Sequence, residues 1–150
     1  MSVKPVRIQW NQRSRCIQAE RKENIMKIVH VVAAIICDGD KVFATQRGYG
    51  DWKGYWEFPG GKIEAGETPE EALHREILEE LDTKIAIGEK LATIEYDYPD
   101  FHLSMDCFLS QVTSGELVLK EHKAACWLKK DDLDRVCWLP ADQTIIDLLK

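Results

Sequence analysis

Residues 28–37, IVHVVAAIIC, leave a chain of this kind the fewest choices. The segment is nearly all apolar and rich in β-branched side chains, which reads as a buried central strand. A strand buried in this way needs cover on both faces, and the rest of the chain offers the parts. Asp38-Gly39-Asp40 signals a turn, and residues 41–47 complete a hairpin. Residues 48–54, GYGDWKG, read as a loop, and residues 55–58 as a short strand that Pro59-Gly60-Gly61 breaks. Residues 85–98 read as a strand bent at Gly88. Residues 102–112 alternate, with Leu103, Met105, Cys107 and Leu109 sharing one face. After a turn at Thr113-Ser114-Gly115 come a strand at 124–128, a helical turn at 131–133 and a closing helix at 141–149, apolar at Ile145, Ile146, Leu148 and Leu149. Strands with two main helices predict an α/β domain in which helices cover both faces of one mixed sheet.

The helix between the third and fourth strands has the strongest start signal in the chain. Thr68 suits the N-cap, Pro69 the first helical position, and Glu71 closes a capping box. The helix should run to about Leu81, with Ala72, Leu73, Ile77 and Leu81 facing the core and Asp82 at its end. Its other side is crowded with acid. Glu76, Glu79 and Glu80 stand at i, i+3 and i+4, one face of a helix, where like charges repel. A solvated acidic face is the plain reading. A hard-cation site is the alternative, because the preceding loop, PGGKIEAGE, carries glycines that allow tight backbone paths. Mg²⁺ takes one or two carboxylates together with waters and substrate phosphates. Such a cation would relieve the repulsion and let a polyanion approach a protein of net charge −6. The same charge argues against binding of a nucleic-acid polymer, which needs a basic surface.

One domain is expected from 150 residues. Residues 26–150 are assigned to it. Residues 1–25 are polar, basic and aperiodic, and read as a poorly ordered extension or the product of an upstream start codon; a basic arm that touches a partner is the other reading. The five cysteines, Cys16, Cys37, Cys107, Cys126 and Cys137, are scattered and form no CxxC pair, which suits reduced thiols in a cytoplasmic protein and packing rather than catalysis. No apolar run approaches the length of a membrane span, and no apolar leader core is visible near the start.

Gly61, five residues, Glu67, seven residues, Arg75-Glu76-Ile77, one residue, Glu79-Glu80 resembles the Nudix box. Asp82 and Thr83 stand where that pattern has Gly and an aliphatic residue, a mild departure because Asp tolerates left-handed backbone. EFPGGKIE, YDYPDFH, the Glu121-His122 pair before Trp127, and WLPAD are similar to the MutT-like and CTP pyrophosphohydrolase-like nucleotide pyrophosphohydrolases of the family. The resemblance runs from about residue 26 to the C-terminus. It implies an α/β/α sandwich with a catalytic loop and helix, and a Mg²⁺-dependent (or Mn²⁺-dependent) hydrolysis of nucleoside triphosphates, normal or damaged, to the monophosphate and pyrophosphate. It also implies a small nucleotide as partner and a monomer or homodimer.

By that resemblance Glu76, Glu79 and Glu80 are metal ligands and the base cluster, with the Gly60 carbonyl as a further ligand, while Arg75 and Glu67 orient the loop against the helix behind Gly61. Glu121 is either another metal-binding carboxylate or base, or an exposed loop acid. Arg47 either touches phosphate or points to solvent, and Lys62 is open in the same way. Glu76 and Glu121 both qualify as the group that takes a proton from water. Asp142 matches a base-contacting position; as a natural N-cap for the last helix it has a second reading. Tyr98 and Phe101 stack on a base or belong to the core. Trp56, Trp127 and Trp138 are expected in the core, His30 as a buried core histidine, His74 on the exposed flank of the helix, and His102 and His122 at the surface. Phe101 replaces the Arg of the relatives most selective for oxidised guanine, which points to a broader substrate range. Two other functions fit the same scaffold: hydrolysis of another nucleoside diphosphate derivative such as ADP-ribose or a nucleotide sugar, and nucleotide sensing without chemistry.

Overall fold

Strand β1 (Lys27–Asp38) runs through the middle of a mixed sheet and sets its architecture. The computed structural model of the chain describes residues 26–118 and 122–150, and of His122 and Lys123 the backbone only. The extension expected at residues 1–25, the role of Glu121 and the side chain of His122 therefore lie outside the described residues. Among the described residues seven strands are present. They are β1, β2 (Lys41–Arg47), β3 (Trp56–Glu57), β4 (Gly60–Lys62), β5 (Lys84–Asp97), β6 (Phe101–Ser114) and β7 (His122–Lys129). Helix α1 (Pro69–Leu81) lies between β4 and β5; a 3₁₀ turn (Lys130–Arg135) and helix α2 (Pro140–Leu149) follow β7.

β1 pairs in parallel with β6, from Lys27 opposite Phe101 to Ile36 opposite Ser110. On its other edge it pairs with β4 (Val31 opposite Lys62, Ala33 opposite Gly60) and, at the hairpin, with β2. β2 continues to β3 and β7, and β6 continues to β5, all antiparallel. Successive residues of a strand point to opposite faces, and β1 shows it. Val32, Ala34 and Ile36 meet Ala72, Leu73, Ile77 and Leu81 of α1. Ala33 and Ile35 join Met105, Cys107, Ala141, Ile145 and Ile146 on the α2 side. One sheet between two helices is the sandwich that the apolar run demands.

Several elements differ from their sequence reading. Pro59-Gly60-Gly61 does not end the sheet: β4 begins at Gly60, because a residue without Cβ can lie against β1. A Cβ at Gly60 would stand 1.9 Å from the Val32 carbonyl oxygen. His30 is exposed rather than buried, and Ile28 is 56 % exposed, since cover of this face of β1 starts only at Val32. Trp127 is also outside the core, 37 % exposed on β7 and tilted onto Phe43 with ring centroids 5.2 Å apart. Trp138 is buried as expected and donates its indole N–H to the Leu133 carbonyl at 2.7 Å. The expected bend at Gly88 coincides with a register shift between β5 and β6. Asp142 does not cap α2. Leu139 holds that position and Pro140 begins the helix, so Asp142 falls in the first turn.

Candidate active site

The start of α1 follows its local chemistry closely. Thr68 Oγ1 accepts from the Glu71 N–H at 3.1 Å, and Glu71 Oε1 accepts from the Thr68 N–H at 2.9 Å. The apolar stripe of α1 lies on the sheet, so its acidic stripe must face away from the core. At the far end Asp82 adopts the left-handed region (φ 52°, ψ 42°), which Asp tolerates better than most residues other than Gly.

Arg75 organises the loop before this helix. Its Nε and Nη2 grip both oxygens of Glu67 at 2.7 and 2.9 Å, a two-pronged pair, and Nη2 also donates to the Lys62 carbonyl at 3.0 Å. Glu67 Oε1 accepts from the Glu64 N–H as well. These donors hold the Glu67 carboxyl down at about 2, the Arg75 bond first among them. The remaining nitrogen of Arg75, Nη1, reaches Glu76 at 2.9 Å and Glu79 at 3.2 Å. The repulsion expected along Glu76, Glu79 and Glu80 is thus offset in part by an arginine next to them in sequence. Glu76 is half-buried; burial raises its carboxyl above the ordinary range despite Arg75. Its carboxyl sits directly against Gly61, where an added Cβ would come within 2.3 Å of it. Among the described residues no three His, Cys, Asp or Glu side chains gather closely enough to hold a metal ion by themselves.

Glu80, Gly60, Gly61 and Lys62 line one side of a cavity of about 520 Å³, a volume in the range of small-molecule sites. Of the other sequence-picked residues, Arg47, Tyr98, Phe101 and Asp142 line it too, whereas Glu67, Arg75, Glu76 and Glu79 stand outside its lining. Tyr98 and Phe101 stack with centroids 5.1 Å apart, at the turn between β5 and β6. Tyr98 is buried, and its hydroxyl accepts from the Ala141 N–H at 3.2 Å. Both rings therefore pack into the core cluster and face the cavity at once. On β6, the partly buried imidazole of His102 is held between Asp97 (2.6 Å) and Glu95 (2.7 Å), which raise its proton affinity.

Asp142 reaches the cavity through a chain of backbone bonds. Trp56 donates its N–H to Cys137 and accepts from Leu139, fixing β3 beside the entrance to α2. The first turn of α2 then presents Asp142 Oδ2 to the Phe58 N–H at 2.9 Å. Asp142 is 5 % exposed. Burial pushes its carboxyl up to about 8, with Phe58 and Arg47 opposing and Glu57 assisting, so it is mostly protonated at neutral pH. Sequence spacing did not reveal Glu57. It accepts from Arg47 Nε (3.3 Å) and Nη2 (2.9 Å) and lines the cavity beside Asp142. The Arg47 guanidinium is consequently neither loose in solvent nor pointed away from the site. Trp52, in the loop before β3, was missed as well; its one signal was an aromatic residue between glycines.

A NUDIX domain model matches residues 27–149. An 8-oxo-dGTP diphosphatase of Proteus vulgaris is 42 % identical over 102 residues, 67 % of this chain and 89 % of the relative. A CTP pyrophosphohydrolase of Escherichia coli is 32 % identical over 123 residues, 81 % of this chain and 91 % of the relative. Among solved structures, a MutT NUDIX hydrolase from Burkholderia pseudomallei is similar with TM-score 0.73 and 25 % identity, covering 83 % of this chain and 99 % of that one. The solution structure of the E. coli ORF135 protein gives TM-score 0.69 at 35 % identity, covering 83 % and 87 %. The chain belongs to the Nudix family.

Proposed function

We propose that this protein hydrolyses nucleoside triphosphates to the monophosphate and pyrophosphate, with a broad choice of base that includes oxidised purines and pyrimidines of the CTP type. The observation that carries this reading is a single cavity joining a carboxylate of the acidic helix, Glu80, to an aromatic pair and the buried Asp142. The names of the similar proteins, 8-oxo-dGTP diphosphatase and CTP pyrophosphohydrolase, support it.

Hydrolases of this family generally use divalent cations such as Mg²⁺. The donors here fit a hard cation: Glu76, Glu79 and Glu80 with the Gly60 carbonyl offer oxygen alone. Mg²⁺ commonly takes one or two carboxylates and fills its other positions with water and phosphate oxygen. When bound, the cation polarises phosphoryl oxygens and lowers the pKa of coordinated water. The chain does the rest. Arg75 locks the loop to the helix and sets the carboxylates in place. Glu76, whose burial raises its proton affinity, is the described candidate to accept a proton from the attacking water. Arg47, oriented by Glu57, and Lys62 face the phosphates. Tyr98 and Phe101 flank the base, and Asp142 offers one edge-reading group that both donates and accepts. Phe101 supplies no second donor, in keeping with a broad substrate range.

A panel of normal and oxidised (d)NTPs, ADP-ribose and diadenosine polyphosphates, assayed with Mg²⁺ and followed by phosphorus NMR, tests the proposal. Pyrophosphate and monophosphate from the triphosphates are expected. Turnover confined to ADP-ribose or the dinucleotides, or none at all, would overturn it.

A further inference from the structure

The loop of residues 48–54 places an indole where local backbone chemistry favours a small residue. Trp52 has φ 65°, a left-handed conformation that bulky residues avoid. Its neighbours Gly50 (φ 75°) and Gly54 (φ 90°) share the region without a Cβ to clash. A strained residue persists only where its surroundings enforce it, and such outliers gather at functional sites. The surroundings are explicit. The Trp52 carbonyl accepts from the Tyr55 N–H at 3.0 Å, and the Arg47 carbonyl accepts from the Gly54 N–H at 2.9 Å. Gln46 Nε2 donates to the Gly54 carbonyl at 3.0 Å, and Arg47 Nη1 to the Asp51 carbonyl at 3.4 Å.

These bonds fix the backbone and leave the ring on the rim of the cavity, 38 % exposed. The indole stands edge-on to Tyr55 (5.1 Å, 87°) and to Tyr98 (5.9 Å, 69°). Tyr98 in turn stacks on Phe101. The β2–β3 loop thus sets its indole against the ring of Tyr98 in the β5–β6 turn, forming one continuous aromatic edge of the cavity that Asp142 also lines.

We propose that Trp52 is a base-stacking residue that closes the nucleobase end of the cavity, a role that rests on the reading of this cavity as a nucleoside triphosphate site. Every nucleobase has a π-face, so stacking adds affinity without naming the base. Choice among bases stays with Asp142. Trp52 therefore governs how tightly any nucleotide is held, and Asp142 governs which.

The test is equilibrium binding of dCMP, dGMP and inorganic pyrophosphate by calorimetry at constant Mg²⁺, for the parent protein, Trp52→Asn and Trp52→Phe. Asn tolerates left-handed backbone best, so Trp52→Asn keeps the loop path and should melt no lower than the parent. Its dissociation constants for dCMP and dGMP are expected to rise together by roughly 5- to 100-fold, while that for pyrophosphate changes by less than about twofold. Trp52→Phe should fall between the parent and Trp52→Asn. Equal nucleotide affinity in Trp52→Asn and parent would overturn the proposal. So would an equal loss for pyrophosphate, which marks a merely structural loop, or loss for one base alone. Binding is read without turnover: a parent protein that holds both nucleotides but hydrolyses no triphosphate sinks the proposed reaction and leaves this role standing.

Discussion

Asp142 shows how far a single side chain can be moved from its ordinary chemistry. Its carboxyl rises from 3.8 to about 8 because burial penalises the charged form more than the Phe58 N–H and Arg47 favour it. A group whose pKa is raised on folding stabilises the fold fully below its unfolded value and loses that contribution as pH climbs through the folded one. The stability of the parent protein should therefore decline from about pH 4 to about pH 8 through this residue. Asp142→Asn cannot ionise, yet its amide oxygen can still accept from Phe58. Urea midpoints measured across that window should fall more steeply for the parent than for the variant; parallel slopes would show that Asp142 is charged throughout. The same titration bears on recognition. Below pH 8 the group both donates and accepts, and above it only accepts, so base preference should change across that pH and lose its pH dependence in Asp142→Asn. Sequence alone offered Asp142 as an N-cap or a base contact. The first failed because Pro140 and Leu139 took the start of α2, a competition that spacing does not resolve.

At the scale of elements, legibility followed how local the causes were. Helix α1 was readable in detail: its capping box, proline start, four buried apolar positions and Asp82 end all lie within the helix or at its ends. Strand β4 was not. Its glycines spell a break, and only the approach of β1 turns them into a strand. Two neighbouring glycines make the difference measurable. A Cβ at Gly60 would collide with the Val32 carbonyl and the Ala33 backbone, which cannot yield without opening the pairing of β1 with β4. Gly60→Ala should cost about 3 kcal/mol, lowering Tm by on the order of 10 °C. A Cβ at Gly61 would meet the carboxyl of Glu76, the mobile end of a side chain. Gly61→Ala should melt within a few degrees of the parent but lose most of its turnover, because Glu76 is pushed aside. Equal melting losses in the two variants, with turnover tracking stability, would show that Gly61 matters only to the fold.

The whole molecule assembles its site from parts that are distant in sequence. Glu80 comes from α1, Arg47 from β2, Tyr98 and Phe101 from the β5–β6 turn and Asp142 from α2, yet all line one cavity. The acidic helix was visible in the sequence because its spacing is internal to one element. Glu57 was not, because the β2–β3 pairing brings it to Arg47 and no ten-residue spacing announces that. The full reach of Arg75, from Glu67 through Lys62 to Glu76 and Glu79, likewise depends on the loop folding back on the helix. On a protein of net charge −6, the polyphosphate site proposed here needs a cation between two sets of negative charge. Calorimetric titration of Mg²⁺ into the folded protein, with a non-hydrolysable triphosphate present, tests this most directly. Saturable binding is expected in the parent, with Glu80→Gln remaining folded but losing that binding and orders of magnitude of Mg²⁺-dependent turnover. Absence of any captured divalent ion in the folded parent, or undiminished binding and turnover in Glu80→Gln, would contradict it.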